Sequence, residues 1–195
     1  MDALENSRYA KDTLLIVTSD HGYHMGEKEY IFKNTLWEES SRIPLIIHLP
    51  GTTKSAEICQ HPVSLIDLYP TMNDICSLPN DPNAPGNGQP LDGYSLRPFL
   101  SGTHTDEWEG PEVALTAISS DIPREFYQPA DIDNQHYSIR SERLALIFCA
   151  TMVRRNCTIM NTIHTKWKNL ANDPEYASTI KAMKEKLIAM VGLNL

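Results

Sequence analysis

The sequence predicts an α/β fold, on three observations. Two short apolar runs rich in β-branched residues, "TLLIVTS" (13–19) and "IPLIIHLPG" (43–51), lack polar alternation. Such runs are the pattern of strands buried on both faces, as in a parallel sheet. The stretch "PVSLIDLYPTMNDIC" (62–76) is amphipathic at helical spacing. The chain has 195 residues, 41% of them apolar and 22% charged. That is ordinary for a globular protein and long enough for a real core.

The elements follow in order. Residues 2–10 read as a short helix, preceding the 13–19 strand. Proline and glycine start and stop the 43–51 strand. Ser64 is placed to cap the 62–76 helix. "SLPNDPNAPGNGQP" (77–90) is dominated by Pro, Gly and Asn and reads as loop. "PEVALTAIS" (111–119) and "QHYSIRSERLALIF" (135–148) read as strands, the latter as a hairpin. "DPEYASTIKAMKEKLIAM" (173–190) is a closing amphipathic helix opened by Asp and Pro. The order predicts an α/β core over 1–110 and a smaller α+β segment over 111–195.

Composition excludes several function classes. The formal net charge of −8 argues against a nucleic-acid surface, which needs a basic patch. No apolar run approaches the length of a membrane helix. The opening "MDALENSRYAKD" is polar and does not read as a leader peptide. Cys59, Cys76, Cys149 and Cys157 have no C-x-x-C spacing, which speaks against zinc.

The chemistry concentrates after the first strand, in "SDHGYHMGEKEYIFK" (19–33). In an open α/β sheet, ligands bind beyond the carboxyl ends of strands. Asp20 offers hard oxygen and His21 imidazole nitrogen, a pair able to hold a divalent cation. Gly22 allows a sharp turn. Lys33 is a compact positive charge suited to an oxyanion.

The longer string "TSDHGYHMGEKEYIFKNTLWEESSRIPLIIHLPG" (18–51) resembles the sulfatase family of the alkaline-phosphatase superfamily. The matching residues are Ser19-Asp20-His21-Gly22, Gly26-Glu27, Lys33, Glu39, Ser41, Arg42 and Ile43-Pro44 through Gly51. Histidine after the aspartate resembles the iduronate-2-sulfatase branch. So do "HPVSLIDLYPTMNDICSLP" (61–79), "LDGYSLRPFL" (91–100) and "HYSIRSER" (136–143). The resemblance implies the C-terminal part of an alkaline-phosphatase-like sulfatase fold, with a smaller α+β segment after it. It implies sulfate-ester hydrolysis, on sulfated carbohydrate or another sulfate ester, using formylglycine and Ca²⁺. For the intact relative it implies a periplasmic or secreted location. By position, Asp20 and His21 would be metal-side residues, and Lys33 and His21 catalytic. Lys33 would hold the sulfate oxygens, with His24, Lys28 and His136 as substrate-facing candidates. Glu38, Glu39 and Arg42 would brace the loop as an ion-pair network, and Arg140 would approach the pocket with His136. Another hydrolase of the superfamily, for a phosphomonoester or phosphonate, and a non-catalytic remnant are the alternatives.

The family's C-x-P-x-R or S-x-P-x-R nucleophile segment does not occur in the 195 residues. The chain therefore reads as carrying about half of such a site, with the Ca²⁺ site incomplete and no nucleophile of its own. "CATMVRRNCTIMNTIHTKWKNLAND" (149–173) also departs from the family pattern until "WKNLAND" resumes it. Relatives resemble "NDGSEELYDHEYDPYEWKNLAND" there. Reading the third base of each codon with the next two turns Met152-Val153 into Gly and Met160-Asn161 into Glu. Permitted codons give the rest of the relatives' string, so residues 144–166 are read as containing a frame-shifted stretch.

Overall fold

A computed structural model describes residues 1–79, 90–102, 105–119, 135–149, 158–161 and 169–192. Residues 80–89 of the loop expected over 77–90, and Arg154, Arg155 and Cys157 of the proposed frame shift, lie outside these residues. The chain forms two compact units: residues 1–20 with 43–111, and residues 21–42 with 112–195.

In the first unit, helix α1 (Asp2–Glu5) is a single turn, shorter than the expected 2–10. Strands β1 (Leu15–Thr18) and β2 (Leu45–His48) form a ribbon in which Leu15 faces His48 and Thr18 faces Leu45. The pairing is antiparallel, which corrects the expectation of parallel neighbours. An apolar run specifies burial but not strand direction. Val17 is 47% and Ile46 60% exposed, because among the described residues no third strand joins this ribbon.

The expected 62–76 helix begins as a 3-10 turn at Leu65–Asp67 and continues as α3 (Leu68–Ile75). Ser64 caps it as expected, in a reciprocal arrangement: its backbone N–H donates to Asp67 Oδ2 at 2.8 Å. Asp67 is buried, and its Oδ1 accepts from the Tyr94 amide at 2.9 Å. Thr71 ties α3 to the segment before the next helix, since its Oγ1 accepts from the Leu96 amide at 2.8 Å. That helix, α4 (Arg97–Leu100), buries Phe99 and Leu100.

The second unit is a four-stranded antiparallel sheet in the order β3-β4-β5-β6. Its strands are β3 (Ala114–Ser119), β4 (Gln135–Arg140), β5 (Leu144–Cys149) and β6 (Thr158–Asn161). β4 and β5 make the expected hairpin, with His136 opposite Cys149 and Arg140 opposite Ala145. The two-residue strand period sorts its side chains. Tyr137, Ile139, Leu146 and Phe148 pack with Leu170, Met183 and Leu187. The last two come from α5 (Ala177–Val191), whose entry is capped by Asp173 Oδ1 accepting the Glu175 amide at 3.1 Å. Ala145 and Ile147, on the opposite face, pack with Leu36, Trp37, Ile118 and Cys149. The sheet is thus covered by α5 on one side and by part of the 21–42 loop on the other. No helix among the described residues is long and apolar enough to cross a membrane.

Candidate active site

The loop 21–42 has little regular structure of its own: a 3-10 turn at Glu27–Glu29 and one turn of helix, α2 (Glu38–Ser41). Specific contacts fix it instead. The Gly22 amide donates to the Ser40 carbonyl at 2.8 Å. A Cβ at position 22 would meet the Glu39 carbonyl oxygen at 2.1 Å, so only glycine lets these two backbones approach. Gly26 sits at φ 123°, and Lys28 and Glu29 follow at φ 58° and 57°. Three residues at positive φ make the tight curl in which the Tyr30 carbonyl accepts from the Gly26 amide at 3.1 Å and the Tyr30 amide donates to the Glu27 carbonyl at 3.2 Å. The Met25 amide donates to the Glu27 carboxylate at 2.7 Å, which holds that acid below its ordinary value.

His24 lies inside this curl and is 0% exposed. Its Nε2 is 2.8 Å from Thr35 Oγ1, and its Nδ1 is 3.3 Å from the Glu27 carbonyl. Tyr30 packs edge-on against the ring. Thr35 Oγ1 in turn meets Ser40 Oγ at 2.9 Å. A substrate-facing His24 was the sequence expectation. The structure turns the ring inward, where it pins the loop to itself.

Lys33 and His21 come together. Lys33 Nζ stands 2.7 Å from His21 Nε2, and His21 Nδ1 stands 2.8 Å from the Gly22 carbonyl. A carbonyl only accepts, so Nδ1 carries the proton and Nε2 presents a lone pair to the lysine ammonium. Lys33 is exposed and His21 half-buried. The pair is a cation held in place by a neutral imidazole, an arrangement that can take an anionic oxygen. Asp20 precedes His21 in the chain and is exposed, its Oδ1 3.4 Å from Ser19 Oγ.

The remaining sequence candidates resolve differently. Glu38 pairs with Arg140, Nε to Oε1 at 2.7 Å, and not with Arg42, which is exposed. Arg140 is thereby tied to the loop. His136 is half-buried on the sheet face that carries Ile118 and Cys149, its strand neighbours. Lys28 Nζ lies over the Trp37 ring at 4.5 Å. The Glu38–Arg140 pair and the buried His24 carried no sequence signal: the first joins positions 102 apart, and the second sits in a polar run without periodicity.

Calcium takes six to eight oxygen ligands. Among the described residues, no group of three or more His, Cys, Asp or Glu is placed to hold a metal ion. Both nitrogens of His21 are engaged. These residues do not by themselves make a calcium site. Asp20 could contribute one carboxylate to one.

A family model described as "Sulfatase" matches residues 1–77. Arylsulfatase K from Gallus gallus is 36% identical over 107 residues, which is 55% of this chain and 18% of that protein. The chain thus spans less than a fifth of the length of that relative. Among solved structures, a phosphonate monoester hydrolase from Silicibacter pomeroyi superposes with a TM-score of 0.74 at 25% identity, covering 97% of this chain and 36% of the other. A structure in complex with its substrate D-glucosamine-2-N,6-O-disulfate gives a TM-score of 0.74 at 23% identity, covering 97% of this chain and 36% of the other. The architecture is α/β, its structural neighbours include a phosphonate monoester hydrolase and a sulfatase, and the sulfatase match runs over residues 1–77.

Proposed function

We propose that the chain is part of a sulfuric ester hydrolase of iduronate-2-sulfatase type, acting on sulfate esters of polysaccharides. The observation that carries this reading is the 2.7 Å approach of Lys33 Nζ to His21 Nε2 in the stretch directly after β1. A sulfate ester is anionic, and breaking its S–O bond builds further charge on the leaving oxygen. A fixed ammonium answers both needs: Lys33 would bind the sulfate oxygens and offset that charge. His21 accepts a hydrogen bond from Lys33 through Nε2 and so aims the ammonium. Asp20 is proposed as this chain's carboxylate toward Ca²⁺, which when bound would offset further sulfate charge. The nucleophile would be a formylglycine from a C-x-P-x-R or S-x-P-x-R segment, absent from the 195 residues. His136, on β4, is the proposed substrate-side residue of the sheet.

Support for a sulfated sugar comes from the neighbour solved with D-glucosamine-2-N,6-O-disulfate, and support for a sulfate ester from the arylsulfatase K relative. Support for the subtype comes from "SDHG", "LDGYSL" and "HYSIRSER". The phosphonate monoester hydrolase neighbour favours a second reading, in which the same lysine holds a phosphonate or phosphate monoester. Titrating inorganic sulfate and methylphosphonate into the chain, read at the His21 and Lys33 side-chain nitrogens by NMR, separates the two. Sulfate-induced shifts that vanish in Lys33→Met support the sulfatase reading. A response to methylphosphonate alone supports the other.

A further inference from the structure

One ion pair ties the sheet to the loop. Arg140, the last residue of β4, donates from Nε to Glu38 Oε1 at 2.7 Å, and the two side chains are only 25% and 14% exposed. Exposed pairs contribute little, but a pair this far withdrawn from water is costly to break, because one charge is left uncompensated. Glu38 is also the first residue of α2. That helix has four residues and no side-chain cap, too few to be stable by itself. Yet the loop closes on it. Ser40 accepts the Gly22 amide at 2.8 Å, and the Glu39 carbonyl packs against the bare Cα of Gly22. Ser40 Oγ, Thr35 Oγ1 and His24 Nε2 continue the network at 2.9 and 2.8 Å. The Gly22 peptide is thus set by α2, and its carbonyl receives Nδ1–H of His21.

We infer that Arg140 and Glu38 are positioning residues: through α2 and the Gly22 peptide they fix the tautomer and orientation of His21, and hence the placement of the Lys33 ammonium. Neither touches the proposed anion. Leu36 already anchors the loop to Ala145 and Ile147, but apolar contact is non-directional. A charge-assisted hydrogen bond supplies the direction that contact lacks. The significance of this clamp rests on the reading of His21 and Lys33 as the anion-holding pair.

The test uses the whole 195-residue chain, uniformly labelled with ¹⁵N, as wild type, Arg140→Met, Arg140→Lys and Glu38→Gln. Two signals are read: the imidazole nitrogens of His21, which report the tautomer, and exchange of the Gly22 amide. Core amides of β4 and β5 serve as the control. In Arg140→Met the fixed Nδ1–H form gives way to averaged nitrogen shifts, and Gly22 exchanges about tenfold faster or more, with the core amides unchanged. Glu38→Gln moves both signals the same way, and Arg140→Lys recovers part of both. The inference is overturned if His21 and Gly22 keep wild-type behaviour in Arg140→Met and Glu38→Gln. It is equally overturned if Gly22 and the core amides speed up together, which would make the pair a contributor to global stability only. Should Arg140→Met not fold, Glu38→Gln decides on the same criteria. Failure of the functional reading is separate: it shows as absence of Lys33-dependent sulfate shifts in a wild type whose His21 tautomer is fixed.

Discussion

Lys33 Nζ donates to His21 Nε2 across 2.7 Å, and the same imidazole donates from Nδ1 to the Gly22 carbonyl. A flexible, exposed lysine is thereby given a direction by a ring that is itself tied to backbone. The consequences can be measured.

Gly22→Ala should loosen this arrangement. The new methyl would lie 2.1 Å from a backbone oxygen of Glu39, an atom that cannot swing aside as a side-chain tip could. The expected cost is about 1–3 kcal/mol, as for other overpacked sites. Thermal unfolding measures the cost, and averaging of the His21 nitrogen shifts shows its location. An alanine variant as stable as wild type, with His21 fixed, would disprove the close approach.

Acid stability should depend on Asp74. Its carboxylate accepts from Ser95 Oγ at 2.6 Å and pairs with Arg97 at 2.9 Å, and these contacts hold it below the ordinary value of 3.8. A carboxyl lowered in the folded state adds stability above its unfolded value, and that stability is lost as pH falls through the folded one. The loss therefore lies below pH 3.8. Both side chains are substantially exposed, so the effect is small and screened by salt. Urea midpoints measured down the acid limb should fall less steeply in Asp74→Asn than in wild type, and equal slopes would contradict the assignment.

Calorimetry should find weak or undetectable Ca²⁺ binding. The described residues offer no cluster of three or more suitable ligands, and Asp20 supplies a single carboxylate. A dissociation constant in the micromolar range would mean that a complete site exists and that its ligands have been misassigned.

Much of the second unit was legible in the sequence. The β4–β5 hairpin showed in "HYSIRSERLALIF", and the terminal helix in its Asp173-Pro174 start, because both signals are local. The Ser64 cap was legible for the same reason. Strand direction in β1 and β2 was not, since the same apolar run serves either pairing. In the site, Lys33 and His21 stood out through the string of residues 18–51 that carries the family resemblance, not through residue type alone. The partner of Glu38 could not: Arg42 was nearby in sequence, but Arg140 is brought in by the sheet. His24 misled for a related reason. A polar loop suggests exposure, whereas Thr35, Tyr30 and the Glu27 carbonyl build it a closed, hydrogen-bonded interior.

Purified chain should not hydrolyse aryl sulfates above the buffer rate. No C-x-P-x-R or S-x-P-x-R occurs in its 195 residues, and without a nucleophile the remaining groups can only bind. Turnover that disappears in Lys33→Ala would show that these residues carry a complete site.

The central claim is that Lys33, aimed by His21, holds a sulfate oxygen. A sulfate titration of wild type and Lys33→Met, followed at the Lys33 and His21 side-chain nitrogens at constant ionic strength, tests it most directly. The account predicts saturable shifts of both residues in wild type and none at His21 in Lys33→Met. Identical His21 responses in the two proteins, or no response in either, would contradict it.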